Sequence, residues 1–261
     1  NDVGMNQVFG ARGVCVLSER CQRDGEAAGA RGPDMQVLAV IRRSSCRHAA
    51  RSQTPPRRRG HNVRMQPKES PALRALIDDR YAELAARCRL AGVALHDDAG
   101  VAERIRRALL ASDFAYDIWF RQPQLLAPQG LERLRAGGDA STRIEALKLD
   151  PDEALCMATL RRFRHAEALR LVFRDVNGLD ELPETLSATS VLYEVLLGAA
   201  LGWSERALAS RYGHSRDHDG ALQRMVVVGF GKLGGTELNF SSDIDLVLAY
   251  PHSGQSDGPR P

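Results

Sequence analysis

The stretch VVVGFGKLGGTELNFSSDIDLVLAY, residues 226–250, combines two apolar runs, a glycine cluster and two spaced acids. The first run, Met225–Phe230, is short, apolar and rich in valine, which is typical of a buried strand. The second run, Asp243–Tyr250, begins with the two acids and continues as apolar residues, which predicts another strand. We therefore expect a strand, a turn and a second strand over these residues.

The glycine cluster predicts a turn that lets an anion approach the backbone. Gly234 and Gly235 have no side chains, and a helical turn beginning at Thr236 would direct N–H groups toward a phosphate. Lys232 precedes the pair, so the stretch matches neither the G-x-x-x-x-G-K-[ST] nor the G-x-G-x-x-G motif. A glycine pair alone is usually only a turn, and Lys232 alone is most often a surface lysine.

The two acids are spaced for metal binding. Asp243 and Asp245 are two positions apart, so in an extended strand both carboxylates project from one face, roughly 6.5 Å apart at Cα. Ile244, Leu246 and Leu248 would face the other side and be buried. Two such acids can hold the divalent cations used for displacement at phosphorus, and Mg²⁺ prefers carboxylate and phosphate oxygens.

The order of these features is more informative than any one of them. A D-x-D pair alone is commonly a solvated part of an edge strand. Here Ser241 and Ser242, which can bind phosphate or cap the strand entrance, lie between the glycine turn and the acids. A buried strand, a double-glycine turn, a polar connection and an acid pair in succession favour a polymerase-β-like nucleotidyltransferase site.

Residues 70–210 have helical periodicity. Ser70 as N-cap and Pro71 at the first helical position begin one predicted helix. Further helices are predicted over 101–110, from Ser112 to near Pro123, over 150–176 and over 184–210, followed by a polar loop over 211–220. The predicted buried positions are Leu73, Leu76, Ile77, Leu84 and Cys88 in the first helix and Leu155, Phe163, Ala166 and Phe173 in the fourth.

The predicted fold class is therefore α+β. A mostly helical region over 65–220 precedes the start of a nucleotidyltransferase domain over 221–261. Residues 1–64 have no sustained periodicity, are rich in Arg, Gly and Pro, and are predicted to be a disordered or non-native extension, with the natural start at or near Met65. Within them, only Met35–Ile41 indicates a strand, and we expect it to be isolated.

The charge distribution argues against a nucleic-acid partner. Residues 1–64 contain 12 arginines, no lysine and 5 acids, whereas residues 65–261 contain 24 basic and 28 acidic residues. The predicted folded part is thus mildly acidic, although the whole chain carries +3. No apolar run approaches the roughly 18 residues of a membrane helix, and five cysteines without CxxC spacing favour a reducing, cytoplasmic compartment.

The wording of the stretch GFGKLGGTELNFSSDIDLVLAYP, residues 229–251, resembles the signature of the bifunctional bacterial glutamine synthetase adenylyltransferase/adenylyl-removing enzyme family. GKLGG, ELN and SSDIDL in this order are a highly specific combination. LRRFRHAEALRLVFRD, residues 160–175, resembles the arginine-rich helix of that family. The wording ELNFSSDIDL is similar to the N-terminal, adenylyl-removing copy, whereas residues 1–64 match nothing in the family.

The resemblance implies Mg²⁺-dependent phosphorolysis of adenylyl-tyrosine on glutamine synthetase by inorganic phosphate, which releases ADP; the other half of the family's proteins attaches AMP from ATP. Glutamine synthetase and the signalling protein PII are the implied partners, in the cytoplasm. The implied site residues are Asp243 and Asp245 as catalytic metal ligands, Gly234 and Gly235 as the phosphate turn, and Ser242 and Lys232 as weaker phosphate contacts.

The chain departs from the family pattern in one respect. Sites of this type use a third carboxylate from a later strand, and only Asp257 follows Asp245. Asp257 lies in SGQSDGPRP, which predicts no strand. We therefore expect a truncated catalytic domain that is inactive alone, with the strand at 245–250 left unpaired.

Three alternatives stay open from the sequence. Residues 70–210 are also consistent with a non-catalytic helical module that docks glutamine synthetase or PII. The acid pair is also consistent with nucleotide transfer to RNA, although residues 65–261 lack a basic surface. Arg161, Arg162 and Arg164 also fit a solvated helix face beside Asp152 and Glu153.

Overall fold

The structure is a computed structural model that describes residues 14–17, 38–41, 70–96 and 98–259, the first two stretches by their backbone alone. The described helices are α1 Pro71–Leu90, α2 Ala99–Ala111, α3 Asp113–Arg121, α4 Pro128–Arg135, α5 Ser141–Glu145, α6 Glu153–Val176, α7 Leu182–Tyr212 and α8 Gly231–Gly234. The strands are β1 Val14–Leu17, β2 Leu38–Ile41, β3 Ser215–Asp217, β4 Val226–Gly229, β5 Leu246–Ala249 and β6 Gly254–Ser256. The predicted α+β class is confirmed.

Side-chain caps set the helix starts that the sequence predicts. The Ser70 hydroxyl accepts a hydrogen bond from the Leu73 N–H at 3.2 Å, and the Ser112 hydroxyl accepts one from the Ala115 N–H at 3.2 Å. Each bond satisfies one of the N–H groups that a helix leaves unpaired at its first turn. Helix α3 then ends before Pro123, where a 3-10 turn, Pro123–Leu126, takes over.

The main core lies where α1, α2, α3, α4 and α6 meet. Trp119 and Phe173 lie at its centre, fully buried, with their rings edge to face at a centroid distance of 6.4 Å. Edge-to-face packing is a favoured aromatic geometry. Other buried members of this core are Leu84, Cys88, Val101, Ile105, Leu109, Ile118, Leu126, Leu131, Leu134, Leu169 and Val172.

The prediction that Leu76 and Leu155 are buried is wrong. Leu76 is 50% exposed and Leu155 is 54% exposed. In α1 the buried positions are Ile77, Leu84 and Cys88, and in α6 the buried stripe begins at Cys156. In both helices the exposed leucine lies one residue, or about 100° of helix rotation, from the face that packs.

Helix α6 also carries buried charges that the sequence does not predict. Glu167 is fully buried and pairs with Arg133, Arg143 and Arg170, each at 2.9 Å. The interaction joins α4, α5 and α6 through one carboxylate. Elsewhere on the helix, Arg161 and Arg162 are exposed, as expected for a solvated face, whereas Arg164 is half-buried.

The sheet has the strand order β1-β2-β4-β5, with parallel pairing of β1 with β2 and of β2 with β4, and antiparallel pairing of β4 with β5. Strand β2 lies within the predicted stretch Met35–Ile41, but it is not isolated, because β1 and β4 pair with it. Strand β1 was not predicted. The rest of the predicted extension over 1–64, including its disorder, lies outside the described residues.

The polar loop predicted over 211–220 contains β3, which pairs antiparallel with β6 in a tail where no strand was predicted. The Asp257 carboxylate fastens the pair by accepting from the Arg216 guanidinium and from the His214 N–H. These contacts join residues more than 40 positions apart, so local sequence patterns do not reveal them.

Helix α7 is, among the described helices, the one long and apolar enough in composition to cross a membrane, and 28% of its most apolar window is buried. A core helix of a soluble protein passes the same test. Here α7 packs against α5 and α6, and its Leu197 and Leu201 pack on Val227 of the sheet. These contacts connect the helical region to the strand that leads into the candidate site.

Candidate active site

Strand β4 delivers the chain to the site. Val227 and Val228 are buried at 4% and 8% exposure, as predicted for the first apolar run. Gly229 ends the strand, and a Cβ at this position would lie 2.9 Å from Cδ2 of Leu233. A side chain at this position would therefore require the Leu233 side chain to shift, because the strand passes closely over the following helical turn.

The glycine cluster forms α8, but not where the sequence placed the helical turn. The turn begins at Gly231, which has a positive φ of 59°, and not at Thr236. The N–H of Gly234 donates to the Phe230 carbonyl at 3.3 Å, and the N–H of Gly235 donates to the Gly231 carbonyl at 3.0 Å. The glycine pair therefore closes the turn with its own amides.

Backbone strain follows immediately after the glycine pair. Thr236 has a φ of 60°, a left-handed conformation that is uncommon for a β-branched residue. Its hydroxyl oxygen is buried, and no hydrogen-bond partner is found for it in the described part of the chain. Strained residues of this kind concentrate at functional sites and are held there by surrounding structure.

Polar side chains fix the connection between α8 and the acids. The Lys232 ammonium donates to the Ser242 hydroxyl at 3.2 Å, so the structure brings these two predicted residues together. The Ser242 hydroxyl in turn donates to Oδ1 of Asn239, and the Ser242 N–H donates to the Asn239 carbonyl at 3.3 Å. Asn239 was not among the predicted site residues, although it lies in the ELN segment that carries the family resemblance.

The acids lie just before β5 and not within it. The predicted strand Asp243–Tyr250 is observed only over Leu246–Ala249. Its pairing with β4 ends at Gly229 and Leu246, because β4 stops there and the backbone continues into α8. The Phe230 N–H still donates to the Asp245 carbonyl at 2.9 Å. Asp243 and Asp245 are both exposed, and the intervening Ile244 is partly buried, in keeping with the predicted alternation.

Asp245 lies beside the glycine turn. Its Oδ2 atom is 3.9 Å from the position that a Cβ on Gly231 would occupy. The structure thus brings Lys232, Ser242 and Asp245 around the same turn.

Two predictions about β5 are wrong. The strand was expected to lack a partner, but all four of its residues pair with β4. Leu248 was expected to be buried, but it is 60% exposed. Leu246 packs in the cluster that Val227 forms with residues of α7, and Leu248 is not part of that cluster.

The donor set fits Mg²⁺, an ion often held by one or two carboxylates together with waters and substrate phosphates. Asp243 and Asp245 supply two exposed carboxylates, and across the described residues no group of three or more His, Cys, Asp or Glu side chains is found. Asp257 accepts hydrogen bonds from the His214 N–H and from Arg216. The bond from the His214 N–H, followed by that from Arg216, lowers the pKa of its carboxyl.

A cavity of about 510 Å³ opens beside the same loop, between it and helices α3, α6 and α7. Its lining includes Phe114, Arg164, Asp175, Tyr193, Phe240 and Ser241. His165 contacts both Phe114 and Arg164, and burial, followed by the nearby arginines, lowers the pKa of its imidazole. The loop that precedes the acids is therefore only partly packed on the side that faces this cavity.

A buried strand, a glycine-rich turn and two spaced acids before the next strand follow one another in the order from which the sequence predicts a nucleotidyltransferase site. Comparison with known proteins gives the same class. Residues 102–260 match the family described as glutamate-ammonia ligase adenylyltransferase. The chain therefore belongs to the glutamate-ammonia ligase adenylyltransferase family.

Individual relatives agree with this assignment. The chain is 45% identical over 200 residues to the bifunctional glutamine synthetase adenylyltransferase/adenylyl-removing enzyme of Xanthomonas campestris pv. campestris strain B100, which covers 75% of this chain and 20% of the relative. The protein of the same name in Stenotrophomonas maltophilia strain K279a is 48% identical over 157 residues, and the match covers 60% of this chain and 16% of the relative. The protein of that name in Thioalkalivibrio sulfidiphilus shows 38% identity over 196 residues, covering 73% of this chain and 20% of the relative. The chain spans about a fifth of the length of its curated relatives.

Proposed function

We propose that this chain supplies the phosphate turn and two metal-binding acids of a nucleotidyltransferase that removes AMP from a tyrosine of glutamine synthetase. The observation that carries the proposal is the placement of Lys232, Ser242 and Asp245 around the glycine turn of α8. The names of the relatives, which include an adenylyl-removing activity on glutamine synthetase, support it.

In the proposed site Asp243 and Asp245 hold Mg²⁺, which when bound neutralises charge on the phosphate oxygens. The Lys232 ammonium offers hydrogen-bond donors to the same oxygens. Ser242, whose hydroxyl donates to Asn239, accepts from Lys232 and so positions its ammonium. Gly235 is exposed, and its missing side chain leaves the backbone open to approach, whereas Gly234 is buried and serves by closing the turn with its N–H group.

The proposed reaction is phosphorolysis. An oxygen of inorganic phosphate attacks the phosphorus of the adenylyl group in line with the bond to the tyrosyl oxygen. That bond breaks, the tyrosyl oxygen takes up a proton, and ADP leaves. The residues above position the phosphate oxygens and offset their charge.

Three finer assignments belong to the proposal. The wording ELNFSSDIDL supports the adenylyl-removing half, with ATP used by the other half of the family's proteins. PII is the proposed regulatory partner, and the cytoplasm is the proposed location. The balance of 24 basic to 28 acidic residues over 65–261 supports a protein substrate over a nucleic acid.

The test uses a chimaera in which residues 70–259 of this chain replace the matching segment of the full-length Xanthomonas campestris relative. The chimaera, mixed with adenylylated glutamine synthetase, phosphate and Mg²⁺, is expected to release ADP. Asp243→Asn and Asp245→Asn should each abolish release, whereas Asp219→Asn, which changes an exposed aspartate away from the turn, should not. Wild-type rates in the first two variants would contradict the metal-ligand assignment.

The same experiment separates the alternative of a docking module. The 261-residue chain alone is expected to release no ADP, because its described residues contain no group of three or more His, Cys, Asp or Glu side chains that could hold a metal ion. Binding of glutamine synthetase by the chimaera without any release of ADP would favour a purely docking role for residues 70–210.

A further inference from the structure

We infer that Ser190 is a positioning residue for the acid pair, because its buried hydroxyl anchors the loop over residues 236–242 to helix α7. We call this loop the acid loop, since it leads directly into Asp243. The inference rests on the proposed function only where it names Asp243 and Asp245 as metal ligands.

The anchor is a fully buried hydroxyl with two hydrogen bonds. The Ser190 hydroxyl donates to the Leu186 carbonyl of its own helix at 3.0 Å and accepts from the Leu238 N–H at 3.1 Å. Ser190 and Leu238 are both 0% exposed, and 48 residues of sequence separate them. The Leu238 N–H has no access to water here, so removing the hydroxyl would leave a buried donor unpaired.

A short series of contacts leads from this anchor to the acids. Leu238 is followed by Asn239, whose side chain and carbonyl both accept hydrogen bonds from Ser242. Ser242 immediately precedes Asp243 and also accepts from Lys232. Fixing Leu238 on α7 therefore limits where the carboxylate of Asp243 can lie.

The rest of the acid loop is weakly packed, which makes the anchor important. Asn239, Phe240 and Ser241 are exposed, and Phe240 and Ser241 border the cavity of about 510 Å³. Ser190 thus couples the acid loop to a helix that also supports the sheet through Leu197 and Leu201.

The adjacent residue provides a matched control. The Thr189 hydroxyl is also buried and donates to the Thr185 carbonyl of its own helix at 2.7 Å. Ser190→Ala and Thr189→Val both remove a hydroxyl that bonds within α7. Only Ser190→Ala removes the bond to Leu238.

The experiment measures amide hydrogen exchange of peptides covering 236–246 in the 261-residue chain, with peptides from α6 as the reference for global opening. Ser190→Ala is expected to accelerate exchange in 236–246 about tenfold, because a buried N–H loses its partner. Thr189→Val should leave these peptides within about twofold of wild type, and α6 should respond alike in both variants. Equal exchange of 236–246 in the two variants would overturn the anchor.

Binding of Mn²⁺ alone, followed by electron paramagnetic resonance, tests the positioning role. Ser190→Ala is expected to weaken Mn²⁺ binding several-fold and Thr189→Val to leave it unchanged, with Asp243→Asn as the reference for a lost ligand. Faster loop exchange with unchanged Mn²⁺ affinity in Ser190→Ala would overturn positioning. If wild type shows no Mn²⁺ binding that depends on Asp243, the proposed metal site fails, and hydrogen exchange still decides whether Ser190 anchors the loop.

Discussion

Helix α6 and the acid loop use carboxylates in opposite ways. On α6, Glu167 is fully buried and has three arginine partners that come from α4, α5 and its own helix. At the end of the acid loop, Asp243 and Asp245 are exposed, and no ion pair is found for either within the described residues. A carboxylate that joins helices must be desolvated and paired, whereas one that receives a ligand must stay accessible.

The largest expected effect on stability comes from removing the buried carboxylate of Glu167. Glu167→Ala leaves Arg170, which is 1% exposed, without its carboxylate partner and leaves Arg133 and Arg143 close to it. Removing one partner of a buried ion pair costs roughly 3–5 kcal/mol. We expect a loss of that size in the free energy of unfolding, measured by urea denaturation.

Glu132 provides the control for this change, because it is an exposed glutamate on α4, next to Arg133 in sequence. Glu132→Ala should change the free energy of unfolding by no more than about 0.5 kcal/mol. A similar small change in Glu167→Ala would show that the buried network does not stabilise the helical region.

Acid pH should weaken the same network by protonating Glu167. Burial alone would raise the pKa of this carboxyl, but Arg143, Arg133 and Arg170 together hold it below the ordinary value of 4.5. Because the folded-state pKa is the lower one, this stabilisation is complete above about pH 4.5 and is lost as pH falls through the folded-state pKa.

The measurement is the free energy of unfolding between pH 6 and pH 2 for wild type and for Glu167→Gln. The variant carries no titratable group at this position, so its stability should fall less steeply below pH 4.5 than that of wild type. Parallel curves would assign the acid sensitivity of the protein to other carboxyls.

Two glycines of the acid-loop region should respond differently to the same substitution. Gly231 has a φ of 59°, a left-handed conformation that costs an alanine roughly 1–2 kcal/mol. Gly235 has a φ of −81°, and an added Cβ would meet its nearest neighbour, the Gly231 carbonyl oxygen, at an ordinary 3.5 Å. Gly231→Ala should therefore destabilise the protein by about 1 kcal/mol or more, whereas Gly235→Ala should not, as measured by thermal unfolding.

Gly235→Ala should nevertheless reduce ADP release in the chimaera, because the exposed position of Gly235 is where the proposed phosphate approaches the turn. Full activity of this variant would remove Gly235 from the phosphate turn. A loss of stability equal to that of Gly231→Ala would instead show that the turn itself requires both glycines.

What the sequence predicts well is local. The Ser70 and Ser112 caps and the buried run of β4 follow from residue types within one turn or one strand. Some errors are local as well, such as the helical turn placed at Thr236 instead of Gly231. The omissions involve distant partners: Glu167 pairs with Arg133 and Arg143, which lie 34 and 24 residues away, and the Ser190 hydroxyl meets the Leu238 N–H across 48 residues. No periodicity in the sequence records such pairs.

The same limit applies within the site. The spacing of Asp243 and Asp245 predicts their common exposure, since alternation is a property of any extended segment. It does not predict that β5 begins only at Leu246, because the length of a strand depends on where its partner β4 turns into α8. The exposure of Leu248 likewise depends on the cover that α7 provides.

The smallest expected effect on stability belongs to the exposed carboxylates. Asp243→Asn and Asp245→Asn should each change the free energy of unfolding by no more than about 0.5 kcal/mol, because exposed side chains without a partner lose little on substitution. Their effect should appear only when the ligand is present. A ligand that binds the folded state raises stability by about 2.7 kcal/mol at 100 times its dissociation constant, so Mg²⁺ or Mn²⁺ should raise the melting temperature of wild type. If either variant kept that rise, the corresponding aspartate would not be a ligand, and its exposure would have no more significance than that of any other surface carboxylate.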